Sequence, residues 1–124
     1  MSDLRNRLFE FAVKCILYLK TIKETPEIKV IIYQLSKSST STGANYEESQ
    51  ASSSKADFRN KVFISLKEMR ESNYWLRICY RLKLGDQLKC QNLVSESEEL
   101  KKILGSIASK TIVKEDMVEY KIEE

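Results

Sequence analysis

The chain has 124 residues, the ordinary length of one domain, with 42% hydrophobic and 31% charged residues and a net charge of +3. Three Gly and one Pro are too few for an all-β protein built on tight turns, and no apolar run is long enough to cross a membrane. Charges at Asp3, Arg5, Arg7, Glu10 and Lys14 interrupt the stretch where a signal peptide needs apolar residues. We therefore expect a mostly helical, cytosolic (cytoplasmic) protein with no membrane partner.

Residues able to carry out catalysis are few in this chain. It has no His, and its three cysteines, Cys15, Cys79 and Cys90, include no CxxC pair. A zinc site or a Cys-His nucleophile therefore lacks its components, and we expect three buried free thiols and no metal or other cofactor. Because His is the usual acid-base group near neutral pH, we predict that the protein is not an enzyme.

Charge is unevenly distributed along the chain. Residues 1–94 contain sixteen Lys and Arg against ten Asp and Glu, a net charge of +6, whereas residues 95–124 carry a net charge of −3. A basic body with an acidic tail permits a nucleic-acid partner without requiring one.

The first two helices are predicted from apolar spacing and from one cap. A three-and-four spacing predicts a helix over residues 3–23. The residues on its apolar face are Leu4, Leu8, Phe11, Ala12, Cys15, Leu19 and Ile22. Thr25 is a good N-cap and Pro26 is tolerated at the first helical position, so a second helix is expected to begin there. Its apolar face starts with Ile28, Ile31 and Leu35.

The stretch SKSSTSTGANYEESQASSSK has the composition of a linker but continues the helical spacing. The inward face of the second helix continues through Ser39, Thr42 and Tyr46. Most side chains on this face become small, but the helical spacing continues. Small side chains let neighbouring backbones approach closely, although Gly43 costs about 1 kcal/mol relative to Ala in a helix interior. We therefore predict one helix over residues 26–49, followed by a short turn.

Caps also delimit the third and fourth helices. Ser54, followed three residues later by Asp57, predicts a third helix that ends near Gly85 and covers residues 55–83. The sequence Ser95-Glu96-Ser97-Glu98 matches a capping box and predicts a fourth helix over residues 95–111.

Residues 1–111 are thus predicted to form one domain of four helices. Because the connections are short, we expect an all-α, antiparallel up-down four-helix bundle. The acidic residues 112–124 are expected to be a frayed terminus, or alternatively an arm that pairs with another subunit.

Two segments carry a resemblance to a known family. SSTSTGANYEES, followed by KADFRNKVFISLKEMRESNYWLRICYRL, resembles the four-helix-bundle proteins encoded in intervening sequences of bacterial 23S ribosomal RNA genes. That family has a small-residue segment of the form S-x-S-I-G-A-N-I-x-E on its second helix, and two Glu residues before an aromatic-Leu pair on its third. The first motif corresponds here to Ser39, Ser41, Thr42, Gly43, Ala44, Asn45, Tyr46 and Glu48. The second motif corresponds to Glu68, Glu71, Trp75 and Leu76.

The resemblance spans roughly Leu4 to Thr111. Thr42 and Tyr46 stand where the family has Ile, which affects the packing of that layer but not the topology. The family's members look like ring-shaped homo-oligomers, typically pentamers. They are similar to the accessory protein of diversity-generating retroelements, a basic pentameric barrel that binds a reverse transcriptase and nucleic acid. The resemblance therefore implies a homo-oligomeric ring and no catalytic site.

A turn of about 100° per residue divides the third helix into three sectors. The first is the predicted bundle core, because its apolar residues form one stripe. It comprises Phe58, Val62, Ser65, Met69, Leu76 and Tyr80.

The second sector is apolar and lies on another side of the helix, where a monomeric bundle does not need it. We predict an oligomer interface there, since contiguous apolar surface usually marks one. The alternative is that a long side chain folds over the edge of the core. The predicted interface residues are Ile64, Glu68, Glu71, Trp75, Ile78 and Leu82. A similar apolar surplus on helix 1 comprises Phe9, Val13, Ile16 and Leu17.

The third sector is basic with interleaved aromatic residues. Cations spaced along a helix can neutralise phosphates, and an aromatic between them can stack on an unpaired base. The alternative is a solvated charged face with Phe63 packed against a neighbour. The predicted nucleic-acid-binding residues are Arg59, Lys67, Arg70, Tyr74, Arg77 and Arg81.

These sectors lead to two hypotheses of function. The first is a non-enzymatic homo-oligomer, a pentamer by the family resemblance, that binds nucleic acid (RNA or RNA/DNA) electrostatically through the basic face of helix 3. The second is a protein-interaction scaffold that docks a reverse transcriptase or another nucleic-acid enzyme without touching nucleic acid itself. An enzyme would need a concave site with perturbed titratable groups, which the sequence does not indicate.

Overall fold

The computed structural model describes residues 3–123, with side chains for residues 3–111. Its helices are α1 (Leu4–Leu19), α2 (Pro26–Gln50), α3 (Lys55–Arg81) and α4 (Gln87–Glu123), and residues 3–123 contain no strand. The predicted all-α class with four helices is confirmed. Within the same residues, no helix is both long and apolar enough to span a membrane.

The helices form a bundle in which each helix packs against two others. α1 contacts α2 and α4, and α3 contacts the same two helices. Successive helices run in opposite directions: Arg5 at the start of α1 pairs with Glu47 at the end of α2. Tyr18 near the end of α1 donates a hydrogen bond to the carbonyl of Leu84, just before α4 begins. Fully buried side chains from all four helices form the core: Leu8, Phe11, Leu35, Met69, Leu76, Leu100 and Leu104.

The caps that the sequence predicts for α2 and α3 are confirmed. Thr25 Oγ1 accepts from the N–H of Ile28 at 3.4 Å, and Ser54 Oγ accepts from the N–H of Asp57 at 3.0 Å. Each cap satisfies a backbone donor that has no partner inside its helix. Both helices therefore begin where the local sequence places them.

The ends of α1 and α3 differ from the prediction. α1 ends at Leu19, four residues earlier than residue 23. α3 ends at Arg81, because Lys83 adopts the left-handed conformation (φ 56°) and its N–H bonds to the carbonyl of Tyr80. The Leu84 N–H then bonds to the carbonyl of Cys79, which completes a Schellman ending. The helix terminator is thus a lysine two residues before the glycine that was expected to do this.

Gly85 has a different role, in the turn between α3 and α4. Its φ is also positive (64°), and a Cβ atom there would lie 2.5 Å from Oγ1 of Thr21. Glycine is therefore required by the close approach of the loop after α1.

The fourth helix begins earlier than predicted, and the capping-box assignment at Ser95 is wrong. α4 starts at Gln87, and Asp86 caps it by accepting from the N–H of Lys89 at 3.0 Å. Cys90 and Leu93 are buried, so the apolar stripe of α4 already continues through two turns before Ser95. Burial of that stripe in the bundle stabilises helix on the N-terminal side of Ser95, so the capping-box sequence lies inside α4 and does not start it.

The backbone of α4 also continues to Glu123, beyond the predicted end at residue 111. The expectation of a frayed terminus is therefore not matched by the backbone. The predicted pairing arm depends on side chains of residues 112–124, which lie outside the described residues.

The small-residue half of α2 is helical through Gln50, as predicted, and it packs closely on α1. A Cβ atom on Gly43 would lie 3.4 Å from Leu8 Cβ and 3.5 Å from the Leu8 carbonyl oxygen. The two helices therefore approach each other at the glycine, which is a packing feature within one bundle.

Buried hydroxyl groups join the same half of α2 to α3. Thr42 Oγ1 donates to the Ser65 carbonyl at 2.8 Å, and Ser65 Oγ donates to the Thr42 carbonyl at 2.7 Å. Further along the same contact, Ser72 Oγ donates to Ser38 Oγ at 2.8 Å. Because each small side chain carries its own hydrogen bond, the close contact leaves no buried polar side-chain atom unsatisfied within the described residues.

The buried arc of α3 is wider than the predicted stripe. Tyr80 is 44% exposed, so its assignment to the core is wrong, whereas Phe58 is half-buried against the core. Both α2 and α4 cover α3, and each buries its own row of residues. The residues of α3 that are buried are Val62, Ser65, Leu66, Met69, Ser72, Asn73, Leu76 and Cys79.

Candidate nucleic-acid interface

The basic residues of α3 lie on one face of the helix, which α2 and α4 leave open to solvent. Lys67, Arg70, Arg77 and Arg81 are exposed, and Tyr74 between them is 51% exposed. Lys67 and Arg81 are fourteen residues apart, so this part of the face extends for about 21 Å along the helix.

Arg59 does not belong to the same cluster. It is half-buried and lines a cleft with the α2–α3 turn and with residues 109–111 of α4. Eight residues of helix, about 12 Å, separate it from Lys67, the nearest of the exposed cations. The face therefore consists of an exposed basic cluster and one half-buried arginine at its N-terminal end.

A groove between α3 and α4 widens the basic face. It has a volume of about 560 Å³. Its α3 wall contains Arg70, Asn73, Tyr74 and Arg77, and its α4 wall contains Lys101, Lys102 and Gly105. The three α4 residues were missed by sequence reasoning, which treated α3 alone. The sequence feature that could have identified them is the buried row of Leu100, Leu104 and Ala108. Residues next to this row on the helix lie at the edge of the bundle core.

Two side chains of the groove are fixed by neighbouring contacts. The Arg77 guanidinium lies 5.8 Å from the centroid of the Tyr74 ring, and its Nε donates to Asn73 Oδ1 at 3.0 Å. Asn73 is buried and donates in turn to Ser97 Oγ at 2.9 Å. The rings of Trp75 and Tyr74 pack edge to face, with a centroid distance of 5.3 Å and an interplanar angle of 71°. A buried polar pair thus anchors an exposed cation and an exposed ring.

The positive charge of the groove and of the adjoining α3 face is mostly uncompensated. Among side chains 3–111, Lys67, Arg70, Arg81 and Lys102 make no ion pair, whereas Lys101 pairs with Glu98 at 3.2 Å. This pairing, which is the largest cause, holds the pKa of Glu98 below its ordinary value, and the positive charge of Arg77 contributes. Since the acidic groups near the groove are few, an anion entering it would meet net positive charge.

The predicted oligomer interface has a mixed environment. Ile64, Glu68, Glu71, Trp75 and Ile78 are half-buried, and only Leu82 is clearly exposed, at 54%. Trp75 packs against the core and its indole N–H donates to Glu71 Oε1 at 3.3 Å, which is the alternative that the sequence left open for this sector. Burial, and then the charge of Glu71, raise the pKa of Glu68.

The apolar surplus on α1 also divides into two groups. Ile16 packs against the core. Phe9 is 64% exposed, and Val13 and Leu17 are exposed on the same side of the helix. An apolar stripe on α1 is therefore left uncovered by the described side chains, residues 3–111.

The small-residue motif of α2 has a structural role in the bundle. Ser39 and Gly43 face the interior, and Asn45 donates from Nδ2 to the carbonyl of Ser41 at 2.9 Å. Ala44 is exposed, and Glu48 is exposed with an ion pair to Lys61 at 3.3 Å.

The three cysteines are free and buried, as predicted. Burial raises the pKa of the Cys15 thiol and raises that of Cys79 to about 11. Both groups are thus protonated thiols near neutral pH. Among the described side chains, no group of three Cys, Asp or Glu residues could hold a metal ion.

Comparisons with known proteins agree with the four-helix architecture. The family model described as "23S rRNA-intervening sequence protein" matches residues 2–106. A solved structure of a protein with unknown function, from the S23 ribosomal protein family of Bacteroides thetaiotaomicron, is 34% identical with a TM-score of 0.76. The alignment covers 86% of this chain and 98% of that one. No curated protein matches the chain.

Proposed function

The chain belongs to the 23S rRNA-intervening sequence protein family, and we propose that it is a non-enzymatic, homo-oligomeric bundle of the cytosol that binds RNA through the basic face of α3. The observation that carries this proposal is the cluster of exposed cations around Tyr74, which make no ion pair with side chains 3–111. Three buried free thiols fit a reducing compartment.

The physical basis of binding is the release of counterions. Each cation that neutralises a phosphate releases a condensed counterion, so affinity falls with salt in proportion to the number of contacts. Cations already paired with carboxylates contribute less, because the protein's own charge compensates them. Among side chains 3–111, the unpaired cations Lys67, Arg70, Arg81 and Lys102 are therefore the candidates for phosphate contacts, and Arg70 and Arg81 represent them on α3.

Charge reversal tests this function. Arg70→Glu together with Arg81→Glu should weaken binding of a labelled RNA hairpin at low salt by tenfold or more, measured by fluorescence anisotropy. The slope of log affinity against log salt should fall by about 0.7 to 0.9 for each lost phosphate contact. A matched control, Lys23→Glu with Lys29→Glu, makes the same change in net charge at two exposed positions away from the groove. Unchanged affinity in the first variant, or equal losses in both, would contradict the assignment.

Self-association is the second part of the proposal, and it rests on exposed apolar side chains of α1 and α3. Phe9, Val13 and Leu17 on α1 and Leu82 at the end of α3 are exposed in the described part of the single chain. A second copy of the chain would bury them and gain about 25 cal/mol per Å² of apolar surface removed from water. A five-membered ring is what the family resemblance implies.

Leu82→Lys is a clean test of the interface, because the position is exposed and a cation is favourable at a helix C-terminus. Trp75→Glu is less suitable, since Trp75 also packs against the core. We expect light scattering to show smaller particles for Leu82→Lys, and an unchanged oligomer for the control Val30→Lys, which alters an exposed apolar residue of α2. An oligomer that persists in Leu82→Lys removes this residue from the interface.

A protein-docking scaffold is the second candidate. The observation that favours it is a groove of about 630 Å³ between α1 and α4, bordered by Leu17 and Leu93 and closed by the Arg7–Glu96 pair. A reverse transcriptase or another nucleic-acid enzyme is the partner that the resemblance suggests. Nucleic acid that co-purifies at low salt, seen as a raised ratio of absorbance at 260 nm to 280 nm, would favour RNA binding over this alternative.

A further inference from the structure

The groove between α3 and α4 differs from a flat basic surface because one residue on its α4 side, Gly105, has no side chain. Gly105 lies inside α4, and a Cβ atom there would meet nothing within 4 Å. Glycine in a helix interior costs about 1 kcal/mol relative to Ala, and neither packing nor a positive φ requires it at this position. The missing side chain keeps the groove open opposite Arg70, Tyr74 and Arg77.

The aromatic ring in the groove is prearranged for stacking. Tyr74 is about half exposed, and contacts with Trp75 and with the Arg77 guanidinium hold it in place. Arg77 is itself held by the buried Asn73–Ser97 pair. A ring whose orientation is already fixed loses little conformational entropy when a base stacks on it.

Cations flank the ring on both walls of the groove. Arg70 lies one helical turn from Tyr74 on α3, and Lys102 lies on α4; neither makes an ion pair within residues 3–111. Lys101, by contrast, is engaged by Glu98. Two unpaired cations beside one aromatic ring match the chemistry of a nucleotide within a strand. The sugar that carries its base is joined to one phosphate on each side.

We infer that the α3–α4 groove is a binding site for single-stranded nucleic acid, in which an unpaired base enters the space left by Gly105 and stacks on Tyr74 while its flanking phosphates contact Arg70 and Lys102. This inference rests on the proposed function. A paired base inside a duplex cannot reach the ring, because its faces are occupied by its neighbours. The groove therefore distinguishes unpaired from paired strands, and the remaining cations of α3 bind both.

Two variants test the groove without disturbing the basic face. Gly105→Leu fills the groove, and it leaves the fold intact because the Cβ position is open and Leu favours helix more than Gly does. Tyr74→Leu removes the ring but keeps an apolar side chain. Matched controls are Ser106→Leu, at the next and exposed α4 position, and Tyr33→Leu, which removes an exposed tyrosine of α2.

The probes are a short fluorescein-labelled oligouridine and an RNA duplex of the same length. We expect Gly105→Leu and Tyr74→Leu each to weaken oligouridine binding about tenfold, in line with the measured contribution of one stacked base. Duplex affinity should change less than twofold, and both controls should behave as wild type. Thermal melting monitored by circular dichroism verifies that each variant is folded.

The possible failures are distinguishable. If Arg70→Glu with Arg81→Glu weakens binding but Gly105→Leu and Tyr74→Leu leave oligouridine affinity unchanged, RNA binding stands and the base-stacking groove is wrong. Equal losses for duplex and oligouridine in the groove variants would also overturn it. Unchanged binding after charge reversal would refute the function and this site together. Tighter binding of a labelled polyglutamate peptide than of oligouridine would assign the groove to an acidic peptide instead.

Discussion

Two helix contacts of the bundle show opposite uses of small residues. Around α2 the packing is closed, with reciprocal hydroxyl hydrogen bonds to α3 and with Gly43 facing α1, where an added Cβ atom would lie 3.4 Å from Leu8 Cβ. Between α3 and α4 the contact opens into a groove, and a Cβ atom added to Gly105 would meet nothing within 4 Å. Two glycines in helix interiors thus have unlike environments.

The difference shows that a missing side chain is informative only together with the distance to the next helix. At Gly43 the absence of a side chain allows two backbones to approach. At Gly105 the neighbouring helix does not come within 4 Å of an added Cβ atom, and Arg70, Tyr74 and Arg77 line the groove on the α3 side. The first glycine stabilises the bundle, and the second leaves room for a ligand.

The largest expected effect comes from filling the closed side. Gly43→Leu places a branched side chain against Leu8 and should lower the free energy of unfolding by about 3 kcal/mol or more, because overpacking forces the helices apart. Gly43→Ala is the matched control, since a single Cβ at 3.4 Å is nearly accommodated and Ala favours the helix. Urea denaturation measures both. A stable Gly43→Leu variant would show that this half of α2 does not pack closely on α1.

The hydroxyl pairs should contribute the next largest effect. Thr42→Val with Ser65→Ala removes the two reciprocal hydrogen bonds between α2 and α3 and should destabilise the protein by about 2 kcal/mol, since each bond contributes about 1 kcal/mol net. Thr40→Val is the control, because its hydroxyl is exposed and bonds within its own helix. Equal stability of the double variant and the control would mean that van der Waals packing, and not these hydrogen bonds, stabilises the α2–α3 contact.

A substitution at Gly105, in the α3–α4 groove, should change the free energy of unfolding in the opposite direction. Gly105→Ala adds a methyl group where nothing lies within 4 Å and should raise the free energy of unfolding by about 1 kcal/mol through helix propensity. Denaturation by urea provides the measurement. A destabilised Gly105→Ala variant would mean that α4 lies closer to α3 than the groove indicates.

The smallest effect concerns two carboxyl groups with opposite pKa shifts. Burial raises the pKa of Glu68 above its ordinary 4.5, so the folded protein prefers the protonated form and loses stability as pH rises through and above this value. The Lys101 hydrogen bond lowers the pKa of Glu98, so its carboxylate adds stability above pH 4.5 that is lost as pH falls through the folded pKa.

Substitution by Gln should therefore act in opposite directions at the two positions. At pH 7, Glu68→Gln should stabilise the protein slightly and Glu98→Gln should destabilise it slightly, and both differences should vanish at about pH 3. The two variants serve as controls for each other in urea titrations at both pH values. A change in stability of the same sign for both variants at pH 7 would contradict this interpretation. Glu68 would then not be destabilised by burial, or Glu98 would not be stabilised by Lys101.

Much of the fold follows from local sequence. Thr25 and Ser54 start α2 and α3 as predicted, because a cap satisfies donors within its own first turn. The linker-like half of α2 is helical because its inward face keeps helical spacing. The candidate site was found only in part: the cations and Tyr74 of α3 were predicted, but Lys101, Lys102 and Gly105 come from a helix more than twenty residues away.

The number of helices, two of their starts, the main core stripe and the basic face of α3 follow from the amino-acid sequence, since each depends on the helical period or on contacts within one turn. Packing between helices instead determines where α4 begins, that Tyr80 is exposed, and that Trp75 packs against the core. It also determines that one glycine is enclosed and the other open. The physical reason is that these features depend on which helix lies beside each face and at what distance, and that distance is set by side chains far apart in the chain.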